Sequence, residues 1–219
     1  MKVVEKFVSI NGEGSKAGQL AVFIRFAGCN LDCVYCDTKW ANEKDVSYVE
    51  MSKEEIYAYI KNTDVRNVTI TGGEPLLQKD IYEFLEYLSL DKNLTVEIET
   101  NGSVDILPFK KIENTPSFTM DYKLDYSNME NKMFLDNLKN LDKRDVVKFV
   151  SGSQKDLEIL KNIVDKYNLI GKTKVYISPV FGAIEPREIV EWMVKNNLNG
   201  INLQIQMHKI IWSPEKKGV

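Results

Sequence analysis

The chain has 219 residues, 43% hydrophobic and 28% charged, with a formal net charge of −3 at pH 7. That length suits one domain, residues 1–219, with enough apolar content for a real core. Acidic and basic residues are mixed throughout, which excludes a basic face for nucleic acid, and no apolar run approaches the ~18 residues needed to cross a bilayer.

Met1 to Val8 has no long apolar stretch before a small-residue cleavage site, so it reads as an opening strand, not a signal peptide, and a cytoplasmic protein without a membrane partner is expected. A second strand is predicted at Leu20 to Phe26. Ser52-Lys53-Glu54-Glu55 is a capping box opening a helix whose Ile56, Tyr59 and Ile60 share one face. Strands follow at Val68 to Thr71 and Leu94 to Glu99, separated by a helical pattern of Ile81, Phe84, Leu85 and Leu88. Further strands are expected at Ser117 to Asp121, Val146 to Val150, Lys174 to Ile177 and Gly200 to Leu203. Between the later ones, Leu157, Leu160, Ile163 and Val164 keep helical spacing, as do Ile189, Trp192 and Met193. These apolar stripes belong to the core.

Strands alternating with helices imply parallel βα units, with functional groups in the loops after the strands' C-terminal ends. Roughly six or seven units are too few to close an eight-stranded barrel. The expected fold class is α/β: a partial, open (βα) barrel. No repeat, low-complexity tract or linker divides the chain.

All three cysteines, Cys29, Cys33 and Cys36, lie in one loop directly after a predicted strand, spaced C-x3-C-x2-C. An odd number packed this closely is poor disulfide material. Thiolates are soft ligands that suit iron–sulfur clusters or zinc. A closed structural zinc site needs a fourth ligand, and the single histidine, His208, is far along the chain. A cubane held by three cysteines keeps one iron without a protein ligand, open to a small molecule. A zinc site completed by a distant residue, or unmetallated buried thiols, are the alternatives. The spacing resembles the signature of the radical SAM superfamily, which binds a [4Fe–4S] cluster and S-adenosylmethionine (SAM). Tyr35 takes the place where that superfamily has an aromatic residue near the adenine.

Thr71-Gly72-Gly73-Glu74-Pro75 ends the next strand and is similar to the superfamily's GGEP motif, which serves SAM's amino group; alone it is also a tight turn. Glu97 and Glu99 put two acids on one face of a strand. Asp121 and Lys123 end another, as ribose and SAM-carboxylate ligands or as an exposed salt bridge. Ser151 and Ser153 precede a helix, where an N-cap accounts for Ser153.

Several stretches along nearly the whole chain resemble 7-carboxy-7-deazaguanine synthases: Ile10-Asn11-Gly12-Glu13-Gly14, Phe23-Ile24-Arg25, Cys36-Asp37-Thr38 and Gln206-Met207-His208-Lys209, with Trp212 beyond. The resemblance implies a radical, Mg²⁺-assisted ring contraction of 6-carboxy-5,6,7,8-tetrahydropterin to 7-carboxy-7-deazaguanine with loss of ammonia, in queuosine and deazapurine biosynthesis. It implies Ile10, Asn11, Gly12, Glu13, Arg25, Thr71 and His208 as substrate contacts and Thr38 as a Mg²⁺ ligand. Tyr35, Asp37, Gly73, Glu74, Asp121, Lys123 and Ser151 would serve SAM. Arg25 suits a carboxylate, since its planar fork can pair two oxygens. The resemblance also implies a homodimer and an electron donor such as flavodoxin or ferredoxin.

Asn11 stands where the family has glutamine, and Asp121-Tyr122-Lys123 replaces its S-P-K pattern. That D-x-K looks more like the activases that place a glycyl radical on a partner enzyme, the main alternative; a non-catalytic zinc or electron-transfer module is another. No conventional general base is assigned beyond Glu13 as a possibility. The tail from Glu215 to Val219 either closes over the substrate or trails in solvent.

Overall fold

Alternation of apolar and polar residues along the strands sets the architecture. The structure, a computed structural model, describes residues 1–213 and 216–219, so Glu215, where the expected tail begins, lies outside the described residues. The strands are β1 (Lys2–Ile10), β2 (Leu20–Phe26), β3 (Val49–Glu50), β4 (Asn67–Gly72), β5 (Thr95–Thr100), β6 (Ser117–Tyr122), β7 (Val146–Ser151), β8 (Lys174–Pro179) and β9 (Ile201–Leu203). They form one sheet in the order β3-β1-β2-β4-β5-β6-β7-β8-β9.

From β2 through β4 to β9 every neighbouring pair is parallel, while β1 runs antiparallel to both β2 and β3. The open α/β barrel read from the sequence is therefore what the chain forms. Its seven parallel strands are extended by an antiparallel pair at one edge. The two-residue β3 has no counterpart in the expectations, because both of its residues are exposed and too few to show a pattern.

On the outer face Val22, Ile24, Phe26, Val68, Ile70, Ile98, Phe118, Met120, Val147, Phe149, Val175 and Ile177 form the core under the helices. Those helices are α1 (Lys53–Asn62), α2 (Ile81–Ser89), α3 (Asn137–Asn140), α4 (Gln154–Tyr167), α5 (Pro186–Lys195) and α6 (His208–Ile211). α1 and α4 are fixed locally by caps. Ser52 Oγ accepts from the Glu55 amide and Glu55 Oε2 from the Ser52 amide, closing the capping box of α1. Ser153 Oγ caps α4 by accepting from the Asp156 amide. Helix ends finished this way are each worth about 1 kcal/mol. Among the described residues no helix is long and apolar enough to cross a membrane.

A bulge in β1 turns the remaining edge toward the inside. Val3 pairs with Phe26 and Glu5 with Arg25, so two residues of β1 oppose one of β2. The extra residue reverses which side chains point inward. Val3 joins the outer core, whereas Glu5 and Phe7 face the interior.

Candidate active site

The inward positions of the parallel strands are polar: Arg25, Thr69, Thr71, Glu97, Glu99, Thr119, Asp121 and Lys148 alternate with the core residues above. Register brings them side by side. Glu5, Arg25 and Thr71 form one row across β1, β2 and β4, and Asp121 and Lys148 are direct partners on β6 and β7. Glu5, Arg25, Thr71, Glu99, Thr119, Asp121 and Lys148 line a cavity of about 660 Å³ at the C-terminal ends of the strands, together with Cys29, Cys33 and Cys36.

The cysteine loop is shaped by backbone hydrogen bonds to the Gly72-Gly73-Glu74 loop. The amides of Gly73 and Glu74 donate to the carbonyls of Phe26 (3.1 Å) and Gly28 (2.9 Å), and the Gly28 amide donates to Ala41 O (3.1 Å). Gly73 permits this approach: a Cβ there would collide with the Gly28 carbonyl oxygen and Asn42 Oδ1. Cys29 Sγ accepts from the Leu31 amide and from Asn101 Nδ2, both at 3.4 Å, as a metal-bound thiolate would. Burial pushes the Cys33 thiol up to about 11, so its proton leaves when a metal arrives. Among the described residues no three His, Cys, Asp or Glu side chains converge on a point fit for a single ion. Three soft thiols lining one cavity suit an iron–sulfur cluster.

Four lysine–carboxylate contacts organise the cavity. Lys123 Nζ lies 2.9 Å from Asp121 Oδ2 and 5.6 Å from the centroid of the Tyr35 ring. Lys148 Nζ lies 2.9 Å from Glu13 Oε2 and 3.6 Å from Asp121 Oδ2. Lys209 Nζ reaches Asp37 at 3.4 Å. Burial alone would lower the Lys123 and Lys148 ammoniums. Asp121 reverses this for Lys123, and Glu13 with Asp121 for Lys148, so both stay charged. Burial raises the Glu99 carboxyl, with Lys148 opposing.

Of the residues singled out in the sequence, Ile10, Gly12, Glu13, Arg25, Tyr35, Asp37, Thr38, Thr71, Gly73, Asp121, Lys123 and His208 line this cavity beside the cysteines. Asp121 and Lys123 are salt-bridged, but inside the barrel and not on its surface. Burial lowers the pKa of His208, which packs on Gly12; its side chain makes no hydrogen bond among the described residues. Asn11, Glu74 and Ser151 do not line the cavity. Asn11 Oδ1 accepts from Thr69 Oγ1 at 2.8 Å beneath the floor. The Glu74 carboxylate, fully buried, accepts from the amides of Leu76 (3.0 Å) and Asn101 (2.6 Å) and from Thr100 Oγ1, tying β5 to the GGEP loop. Ser151 is fully buried, and its hydroxyl has no hydrogen-bond partner among the described residues.

Of the two acids noted on one strand face, Glu99 lines the cavity and Glu97 does not; the cavity also holds residues that sequence reasoning left aside: Glu5, Lys148, the stacked pair Phe7 and Phe23 (centroids 4.9 Å apart), and Trp40, over which Lys217 Nζ lies at 4.1 Å. For Lys148 a signal existed. A lysine inside the apolar run Val146 to Val150 is almost never buried unless paired.

Residues 23–122 match the family model "Radical SAM superfamily". The chain is 64% identical to the 7-carboxy-7-deazaguanine synthase of Clostridium acetobutylicum, over all of this chain and 99% of that protein. It belongs to the 7-carboxy-7-deazaguanine synthase family. Another 7-carboxy-7-deazaguanine synthase, from Chlorobaculum tepidum, is 34% identical over all of this chain and 97% of its own length. The fold is that of QueE from Escherichia coli, with a TM-score of 0.76 at 24% identity, covering 94% of both chains. As a member of this radical SAM family the chain is an enzyme that uses a [4Fe–4S] cluster and SAM. The three thiols described above fit that cluster.

Proposed function

We propose that the chain converts 6-carboxy-5,6,7,8-tetrahydropterin into 7-carboxy-7-deazaguanine with release of ammonia. The observation that carries this reading is one cavity lined both by the three thiols and by Arg25, whose Nη groups make no hydrogen bond among the described residues. When bound, the reduced cluster and SAM supply a radical that takes hydrogen from the substrate. The protein holds the two reactants in register and keeps water and other hydrogen donors away.

In this reading Cys29, Cys33 and Cys36 hold the cluster. Tyr35, Asp37, Gly73, Asp121 and Lys123 form the SAM half, with Lys123 a cation for its carboxylate. Glu74 and Ser151 act on that half from behind, Glu74 by fixing the GGEP loop. Ile10, Gly12, Glu13, Thr71 and His208 enclose the pterin, and Asn11 supports the floor. Arg25 pairs the substrate carboxylate through two N–H groups. Thr38 offers its hydroxyl oxygen to Mg²⁺, a hard ion that keeps most of its waters and so needs few protein ligands.

Residues 1–219 act as one domain, β1 and the C-terminal segment completing the substrate side, where Glu5, Lys217 and Gly218 meet the same cavity. A cytoplasmic homodimer reduced by flavodoxin or ferredoxin is the working form. The test is anaerobic turnover of iron- and sulfide-reconstituted protein with SAM, Mg²⁺ and the carboxypterin. A product with the mass of 7-carboxy-7-deazaguanine is expected. Deoxyadenosine without deazaguanine would reject the substrate and keep the radical chemistry.

A further inference from the structure

Lys148 stands where the two halves of the cavity meet. Its ammonium donates to Glu13 Oε2 at 2.9 Å and lies 3.6 Å from Asp121 Oδ2. Glu13 follows β1, near Gly12 and His208. Asp121 ends β6 and is also held by Lys123, beside Tyr35 and the cysteine loop. One oxygen of each carboxylate is therefore committed to a lysine. The other oxygens, Glu13 Oε1 and Asp121 Oδ1, are buried without a hydrogen-bond partner among the described residues.

A buried carboxylate oxygen without a donor is costly. Glu13 and Asp121 both line the cavity and are bridged by one cation, so each carboxylate becomes an acceptor for a different bound molecule once its unpartnered oxygen turns outward. The N–H groups of a reduced pterin and the hydroxyl or ammonium groups of SAM are donors of the right kind. We infer that Lys148 is a positioning residue that couples the two sites, holding Glu13 toward the pterin and Asp121 toward SAM through a single ammonium. This rests on the proposed placement of SAM in the cysteine half and carboxypterin in the Arg25 half.

The coupling follows from sharing. The first ligand to engage its carboxylate fixes that carboxylate's orientation, and with it the ammonium. The second carboxylate is then already ordered when its ligand arrives, so less ordering remains for the second binding event. By linkage each ligand raises the other's affinity by the same factor. A lysine that merely balanced charge would affect both affinities without linking them.

Equilibrium dialysis of anaerobic, iron-loaded enzyme without reductant reads this directly, because no turnover occurs. SAM is expected to tighten carboxypterin binding about fivefold or more in the wild type. In Lys148→Met that ratio should fall to within about twofold of unity, while Lys148→Arg, which keeps a cation, retains part of it. Glu13→Gln should weaken carboxypterin chiefly and Asp121→Asn SAM chiefly, with the double variant non-additive because both act through one lysine. An unchanged ratio in Lys148→Met overturns the inference, as does a wild type that binds both ligands independently. Should Lys148→Met lose iron or unfold, additivity of Glu13→Gln and Asp121→Asn overturns it instead. A wild type that binds SAM but no carboxypterin overturns the substrate reading, and this inference with it.

Discussion

Arg25 offers the cavity only part of its guanidinium, because Glu5 Oε2 accepts a hydrogen bond from its Nε at 3.0 Å. The two Nη groups make no other hydrogen bond among the described residues. A guanidinium gripped at one edge presents the other as a rigid, preoriented fork. The β1 bulge makes this possible by turning Glu5 inward onto the Arg25 row.

Arg25→Lys keeps the charge but loses the two parallel donors. The KM for carboxypterin should rise about tenfold or more, with SAM affinity unchanged, as steady-state kinetics and dialysis would report. An equal loss for both ligands would place Arg25 outside substrate recognition.

Cys29→Ala should abolish iron retention and deoxyadenosine formation while leaving the apoprotein folded. Cys29 is only half-buried, so its truncation should shift apoprotein stability by less than about 1 kcal/mol in a urea titration. Large destabilisation would mean that the thiol has a packing role.

Gly73→Ala tests the seam between the two loops. Its methyl would strike the Gly28 carbonyl and Asn42, and backbone must move to admit it. A loss of about 2 kcal/mol or more is expected, together with reduced iron content measured after reconstitution.

Glu74 gives a pH signature. Burial raises its carboxyl to about 7, against the pull of hydrogen bonds from Asn101, Leu76 and Thr100. Since the folded pKa lies above the unfolded one, the folded chain keeps a proton that the unfolded chain loses between about pH 4.5 and 7. Stability from this group therefore falls as pH rises through that window, by up to roughly 3 kcal/mol, and levels off above it. In Glu74→Gln that slope should vanish, read as urea midpoints of apoprotein at about pH 5 and 8. A slope equal to the wild type's would assign it to another group.

Most of the fold was legible because each strand carries its own two-sided record. Val147 and Phe149 face helices while Lys148 faces the cavity, so β-branched and aromatic residues mark the strand and its polar members mark the interior. The helices were legible from their caps, Ser52 and Ser153 above all. The cysteine spacing announced its chemistry in one loop. What escaped depends on long-range register. Nothing around Glu5 tells of Arg25, twenty residues on, until the bulge sets the pairing, and Lys217 meets Trp40 only once the chain has folded back. Glu74 escaped differently: the motif indicates a ligand contact, while its carboxylate is taken up by the amides of Leu76 and Asn101 and the hydroxyl of Thr100.

The amide-to-carbonyl clasps between the Gly28 and Gly73 loops contain no metal. Small zinc modules unravel when their ion is chelated, since binding and folding are one event for them. Here the seam beside the thiols is closed by backbone hydrogen bonds within the chain, so loss of inorganic sulfide to oxygen breaks none of those bonds. Iron and sulfide returned to such a chain would meet thiols still held beside the same clasped loops.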